Sequence, residues 1–397
     1  MNDNNTITAR LRRLIAVSIV VSGGALMAVI FTAIAPVLSS IGLHFGGGAG
    51  GDFIAQLVMT VPAVGIIVGA PAVGFAIEKF GARRIFFTAL IVFGCAGSAG
   101  LVTEQAWALL TSRFILGVAG AGVSTSTTAL IGEWFEGSAR SRMLGYWSSL
   151  GAVGGVTAVL LSGAIGESGG WQAPFAIHLI AFVALAFALY SIRPGSPATI
   201  STPETMNAVT GNGSILSLWP IYALMIPLYV GVFMTGVQLS FLIAANGINS
   251  PAEQSWIISM ASVGSAIGAF FFGWIISWLG RRRTFILFVS MMGIANIFMG
   301  TVDDPLLVAI GAAFNGMGGG ISNPFFASLI LERAPIEIRG RALGFMYTVW
   351  FGGEFINPLI VTPLRMISSL HGAFVIIGSV LLLIAIIFAL RRKTMVS

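Results

Sequence analysis

From Leu14 to Ile41, from Phe53 to Ile77 and from Ala373 to Leu390 the chain runs almost without charge. Each run reaches or approaches the ~20 apolar residues that a helix needs to cross a ~30 Å hydrocarbon layer. Twelve such segments follow one another, at roughly 14-42, 53-77, 85-103, 106-131, 143-166, 172-192, 217-246, 254-278, 285-302, 305-330, 343-366 and 371-390. In hydrocarbon a backbone must satisfy its own polar groups, so these segments can only be helices, and the fold class expected is an all-α membrane protein. The composition agrees: 56% of the 397 residues are hydrophobic and 9% are Asp, Glu, Lys or Arg.

The first segment follows Arg10, Arg12 and Arg13 but is nearly twice as long as the apolar core of a cleaved signal, so it reads as a retained span. With both termini placed in the cytoplasm, every lysine and arginine except Arg113 and Arg365 falls on that side. The positive-inside rule then explains the net charge of +6 as topology in an inner (plasma) membrane rather than as affinity for nucleic acid. Cys95 is the lone cysteine, which excludes an intramolecular disulfide and any multi-cysteine metal site.

The chain also repeats itself. Gly65, Gly69, Gly74 and Gly81 match Gly264, Gly268, Gly273 and Gly280 at one offset of 199 residues. The same offset carries Gly117 and Gly120 onto Gly316 and Gly319, the Arg140–Gly145 run RSRMLG onto RGRALG at Arg339–Gly344, and Phe175 onto Phe374. Two copies of six spans each enter the membrane in the same sense, related by a pseudo-twofold axis along its normal. The expected organisation is an N-terminal bundle over 1-192, a polar cytoplasmic linker over 193-216 and a C-terminal bundle over 217-397.

With these features the sequence resembles the major facilitator superfamily over essentially its whole length. The loop pattern G-x-x-x-D-[RK]-x-G-[RK]-[RK] of that family appears as Gly74, Glu78, Lys79, Gly81, Ala82, Arg83, and its second copy keeps Gly273, Gly280, Arg281 and Arg282 with Ser277 in place of the acid. Arg113, Gly117, Gly120 and Gly122 match a second family pattern early in span four. A third, the G-P-x-x-G-G of antiporters, is degraded to Ala158–Gly163, without its proline. The Gly352–Leu364 segment is similar to a span-eleven stretch of the drug-efflux-like branch, which has Gln at the Glu354 position. The resemblance implies a secondary transporter working by alternating access, a monomer with protons and a small solute as its partners in the bilayer, and no cofactor.

Glu354 lies about 12 residues into its span, roughly 18 Å deep, and Arg113 about 7 residues from the opposite face, roughly 10 Å. The two depths nearly coincide, so both residues are expected to border one cavity. Charges at such depth are costly and default to function. Arginine cannot shed its proton, whereas a glutamic acid can gain and lose one, which makes Glu354 the candidate proton carrier; a static pair with Arg113, or a Glu hydrogen-bonded to Tyr347 or Asn357 on its own helical face, is the alternative. Arg113 reads as an anchor for a substrate anion or a modulator of Glu354, or else as a cation satisfied by backbone carbonyls. His178 reads as a packing histidine.

Further candidates for substrate contact are Gln238, Asn246, Asn315 and Asn323, each equally suited to holding helices together. Tyr347, Trp350, Glu354 and Asn357 share one face of span eleven, a stripe expected to contact an amphipathic solute, with packing the alternative for Trp350. By the resemblance, Glu78 would sit beside the N-terminus of span eleven and Arg83 would pair with Glu133; with Gly74, Gly81, Gly273, Gly280 and Arg281 they form the expected gating set. The chain has no phosphate-binding loop, only Lys79 and Lys393 as lysines, and no nucleophile–base arrangement, so neither ATP-driven transport nor catalysis is expected. The resemblance to the drug-efflux-like branch implies proton-coupled efflux of amphipathic compounds as the first expectation. Uptake of an organic anion held by Arg113 is the second expectation; a membrane-embedded sensor or enzyme is the third.

Overall fold

The computed structural model describes residues 3–135, 137–192, 218–334 and 339–391, without the side chains of 3–9, 78, 137, 138, 140–142, 331 and 339–341. The expected linker over 193-216 lies outside the described residues. Among those described there is no strand. The helices are α1 (Asp3–Val21), α2 (Gly23–Thr32), α3 (Leu38–His44), α4 (Gly48–Phe80), α5 (Ala82–Ser98), α6 (Ala106–Trp134), α7 (Gly137–Gly169), α8 (Ile180–Ser191), α9 (Trp219–Val232), α10 (Leu239–Ala245), α11 (Pro251–Met299), α12 (Pro305–Arg333), α13 (Arg339–Ile367) and α14 (Leu370–Leu390).

Ten stretches of described helix are long and apolar enough to cross a membrane. One of them, α11, holds 49 residues and breaks at Gly280, where φ is 74°. It therefore supplies two spans, and α13 completes a set of twelve. Gly81, the counterpart of Gly280, has φ 83° at the junction of α4 and α5. Left-handed backbone of this kind costs an L side chain about 1–2 kcal/mol, and glycine adopts it freely.

The repeat is visible in contacts as well as in letters. A Cβ on Gly65 would lie 2.2 Å from the Phe114 carbonyl oxygen, and one on Gly264 would lie 1.9 Å from that of Ala313, the residue 199 positions after Phe114. Gly117 against Pro62 and Gly316 against Ala261 repeat the correspondence at 2.1 and 1.9 Å. Water gives no driving force inside a bilayer, so helices associate where small residues let backbones approach and dispersion contacts accumulate. These glycines set α4 against α6 and the first half of α11 against α12.

The chain packs as two compact units, Met1–Ile34 with Val61–Glu204 and Ala35–Thr60 with Thr205–Ser397. The segment Ala35–Thr60, which belongs to the first repeat by sequence, thus packs with the second. The first unit is centred on Val20, Ile30, Phe86, Leu90, Phe93 and Leu116. The second has an aromatic centre in which Phe285 meets Phe388 at 4.6 Å and Phe325 at 5.8 Å between ring centroids. Its helix starts are capped: Ser250, Asp304 and Ser369 accept from backbone N–H groups of Glu253, Leu306 with Leu307, and Gly372. Such caps satisfy donors that the first turn leaves open.

Candidate functional site

In the second unit the helix of span seven does not run through. After α9 the backbone forms a π-helical turn, Met234–Gln238, before α10 resumes. A break of this kind leaves carbonyls at the end of α9 without helical partners, which a membrane interior does not forgive. Three asparagines from three other spans answer it. Asn357 Nδ2 donates to the Val230 carbonyl at 2.9 Å, Asn296 Nδ2 to Gly231 at 3.3 Å and Asn315 Nδ2 to Val232 at 3.0 Å. Asn315 also accepts from Asn296 at 3.0 Å. Asn315 and Asn357, expected as substrate contacts, are fully buried and spend their amides on the backbone. Asn246 is likewise a tie, accepting from His371 Nε2 at 2.9 Å and donating to the Val302 carbonyl at 3.4 Å where α10 ends.

Along α13 exposure falls in the order the helical face is climbed. Tyr347 is 49% exposed, Trp350 is half-buried, Glu354 is 1% exposed and Asn357 is fully buried. Trp350 packs against Tyr229 at 4.7 Å and Phe233 at 6.0 Å between ring centroids. Between Trp350 and Glu354, Gly353 lets the helix close onto Tyr229, whose Cβ would meet an added Cβ at 2.6 Å. One turn beyond the tryptophan, Glu354 Oε1 is buried without a hydrogen-bond partner. A carboxyl in that position is one the fold has not used up. Asn323 is half-buried and makes no hydrogen bond to a described residue.

Gln238, at the end of the π-helical turn, donates through Nε2 to Asn357 Oδ1 at 2.8 Å and to Gln56 Oε1 at 3.2 Å. Gln56 did not stand out in the sequence, yet Asp52, Gln56 and Thr60 recur every fourth residue on one face of α4, and that periodicity was the available signal. Asp52 forms an ion pair with Arg365. Arg365, one of two basic residues that broke the charge asymmetry, is thereby neutralised at its own end of α13.

Arg113, the other exception, belongs to the first unit and has no exposed surface. Its guanidinium donates to the Ile30 carbonyl in the last turn of α2 at 2.7 Å, lies 3.5 Å from His178 Nε2 and sits over the Phe175 ring at 5.6 Å. Because arginine only donates, His178 Nε2 has to accept, which leaves the imidazole neutral with its proton on Nδ1, donated to the Phe175 carbonyl at 3.1 Å. The histidine packs beside Phe93 and Phe175. Of the two readings of Arg113, the geometry matches a cation held by a helix-end carbonyl.

The gating set divides. The Glu78 side chain lies outside the described residues. Arg83 does not pair with Glu133; its guanidinium lies over the Phe87 ring at 5.1 Å. The repeat explains why. In the second unit Arg281 pairs with Glu332, the counterpart of Glu133, while Arg282 donates to the carbonyls of Phe388 and Ala389 at 3.1 and 2.6 Å. Arg83 corresponds to Arg282, and Ala82 stands where Arg281 does. Gly74 is buried, whereas a Cβ on Gly273 would meet nothing within 4 Å. Glu332→Ala is therefore expected to lower stability by up to ~1 kcal/mol, the range for exposed pairs, and Glu133→Ala to leave the thermal midpoint unchanged.

A sequence profile of the Major Facilitator Superfamily matches residues 20–246 and 221–396. The chain belongs to the major facilitator superfamily. Among members of this superfamily, the niacin transporter NiaP of Acinetobacter baylyi is 21% identical over 381 residues, spanning 84% of each chain. The sialic acid transporter NanX of Escherichia coli is 22% identical over 326 residues, 78% of each chain. The crystal structure of a D-xylose-proton symporter shares the fold with a TM-score of 0.74 at 16% identity, covering 94% of this chain and 97% of that one. Superfamily membership makes the chain a multi-pass secondary transporter rather than an enzyme.

Proposed function

We propose that the chain moves a small organic solute across the inner membrane by alternating access, as a monomer with both termini in the cytoplasm, and that Glu354 couples the movement to protons. The observation that carries this reading is the buried Oε1 of Glu354, which has no hydrogen-bond partner among the described residues. A carboxyl can alternate between charged and neutral forms as its surroundings change, which is what a proton carrier needs. Trp350, with Tyr229 and Phe233 behind it, supplies a flat apolar wall one turn away. That wall and Tyr347 suit an amphipathic compound, and export of such compounds is the first reading. A specific observation favours a second, uptake of a small organic acid: the similarity to the niacin and sialic acid transporters spans most of the chain.

Proteoliposomes with an imposed proton gradient test both, using ethidium as an amphipathic probe and nicotinate as an acid. Saturable ethidium movement opposite to the proton flow supports export. Nicotinate accumulation alongside the protons supports uptake. Saturable flux of either probe that ignores the gradient contradicts the coupling.

A further inference from the structure

In the second unit, polar residues on α4 and α13 form two facing ladders, which share Asn357 and Gln238 with the capped break. On α4 they are Asp52 and Gln56; on α13 they are Asn357, Thr362 and Arg365, continuing the face that begins with Glu354. From Glu354 to Arg365 the helix rises about 16 Å. The ladders join at the Asp52–Arg365 ion pair, at Thr362 Oγ1, which donates to Gln56 Oε1 at 3.5 Å, and through Gln238, which bridges Gln56 and Asn357.

The direction of this network is determined. Asn357 gives its Nδ2 to the Val230 carbonyl, so its oxygen faces Gln238, and Gln238 has to present its NH2 group there. Two amide atoms are left over in the middle of the ladder, Gln56 Nε2 and Gln238 Oε1, both buried and both without a partner. One is a donor and the other an acceptor. Glu354, three positions before Asn357 on α13, adds a third such atom, its Oε1. Buried polar groups of this kind are ordinarily completed by ordered water, which needs several polar partners at once.

We propose that Gln56 and Gln238 hold internal water in a file between Glu354 and the Asp52–Arg365 end of the unit, and that this file is the route by which Glu354 exchanges its proton with that side of the membrane. The proposal rests on the reading of Glu354 as the proton carrier. Each transfer balances simply: a water oxygen takes one proton, releases another to its neighbour, and the last passes to or from a Glu354 oxygen. The glutamines are never protonated. They suit the task because an amide both donates and accepts without carrying a charge that would trap the proton or repel it. Arg365 would repel it, but Asp52 neutralises that charge at the entrance. Of the tyrosines near Glu354, Tyr229 packs on Gly353, and Tyr347 stands two turns before Glu354 on α13.

Infrared spectroscopy of the full chain in liposomes tests this without a substrate. The carboxyl C=O band that Glu354→Gln removes shifts to lower wavenumber when H2O is replaced by D2O, and the rate of that shift reports proton exchange. Gln56→Met and Gln238→Met keep side-chain length and remove the amide; both are expected to slow the shift about tenfold or more, the effect of ~1.4 kcal/mol of added barrier. Thr362→Val, a milder change, is expected to slow it less, and Gln56→Asn to keep most of the rate. Wild-type rates in both methionine variants, with the band in place, overturn the proposal, even if their thermal midpoints fall as they would for residues that only tie helices. The two failures are separable. Loss of gradient-driven transport in Glu354→Gln with normal deuteration in the methionine variants removes the route alone, whereas a Glu354→Gln protein that still accumulates substrate removes the coupling itself.

Discussion

Arg113→Leu is expected to destabilise the protein by about 2–4 kcal/mol, seen as a lower thermal midpoint in detergent, because it leaves a buried carbonyl and a buried imidazole nitrogen unpaired and opens space beside Phe175. Arg113 has no exposed surface, its guanidinium donates to the Ile30 carbonyl in the last turn of α2, and it meets the accepting face of His178. Arg113→Lys is expected to recover only part of the loss, since an ammonium is a point donor and cannot span the carbonyl and the imidazole as a planar fork does. His178→Phe, which keeps the ring and removes the acceptor, should show a smaller loss of the same kind. An unchanged midpoint in Arg113→Leu together with a raised KM for nicotinate would identify the arginine as an anchor for a substrate anion instead.

The membrane architecture was legible because hydrocarbon admits few solutions. Uninterrupted apolar runs can only be helices, and the offset of 199 residues reappears as matched backbone approaches at Gly65 and Gly264 and at Gly117 and Gly316. Glu354 was legible for the same reason, as a carboxyl where solvation is poor. The roles of the amides were not. Whether Asn315 and Asn357 face a solute or the backbone depends on the π-helical turn at Met234–Gln238, and hydrophobic periodicity does not register a turn that keeps its apolar residues. The significance of Gln56 lies in what it meets, Gln238 and Thr362, 182 and 306 positions further along the chain. Arg83 shows the limit of a family pattern: the letters match, but the register assigns this arginine the place of Arg282, which caps a helix end, and the pairing arginine survives only in the second copy.

Glu354→Gln is expected to have the largest functional effect. The substitution keeps size and hydrogen-bonding capacity while removing the exchangeable acid. On the proposed reading, substrate binding at the Trp350 wall and the movement of the spans do not require that proton, so exchange of substrate for substrate across the membrane should continue. Net transport driven by a proton gradient does require it, and its rate should fall by about 100-fold or more, the lower end of what a positioned proton-transfer group contributes. Glu354→Asp, which keeps the acid but draws it back by one methylene, should fall between the two. A Glu354 that merely held helices together would instead give equal losses in exchange and in net transport, with a lower thermal midpoint.

The most direct test of the account places wild-type and Glu354→Gln proteins in identical proteoliposomes and measures, for whichever of ethidium and nicotinate the wild type carries, both counterflow at equal pH and accumulation under an imposed proton gradient. The account predicts that Glu354→Gln retains counterflow and loses accumulation. Accumulation by Glu354→Gln that still rises with the imposed gradient would contradict it.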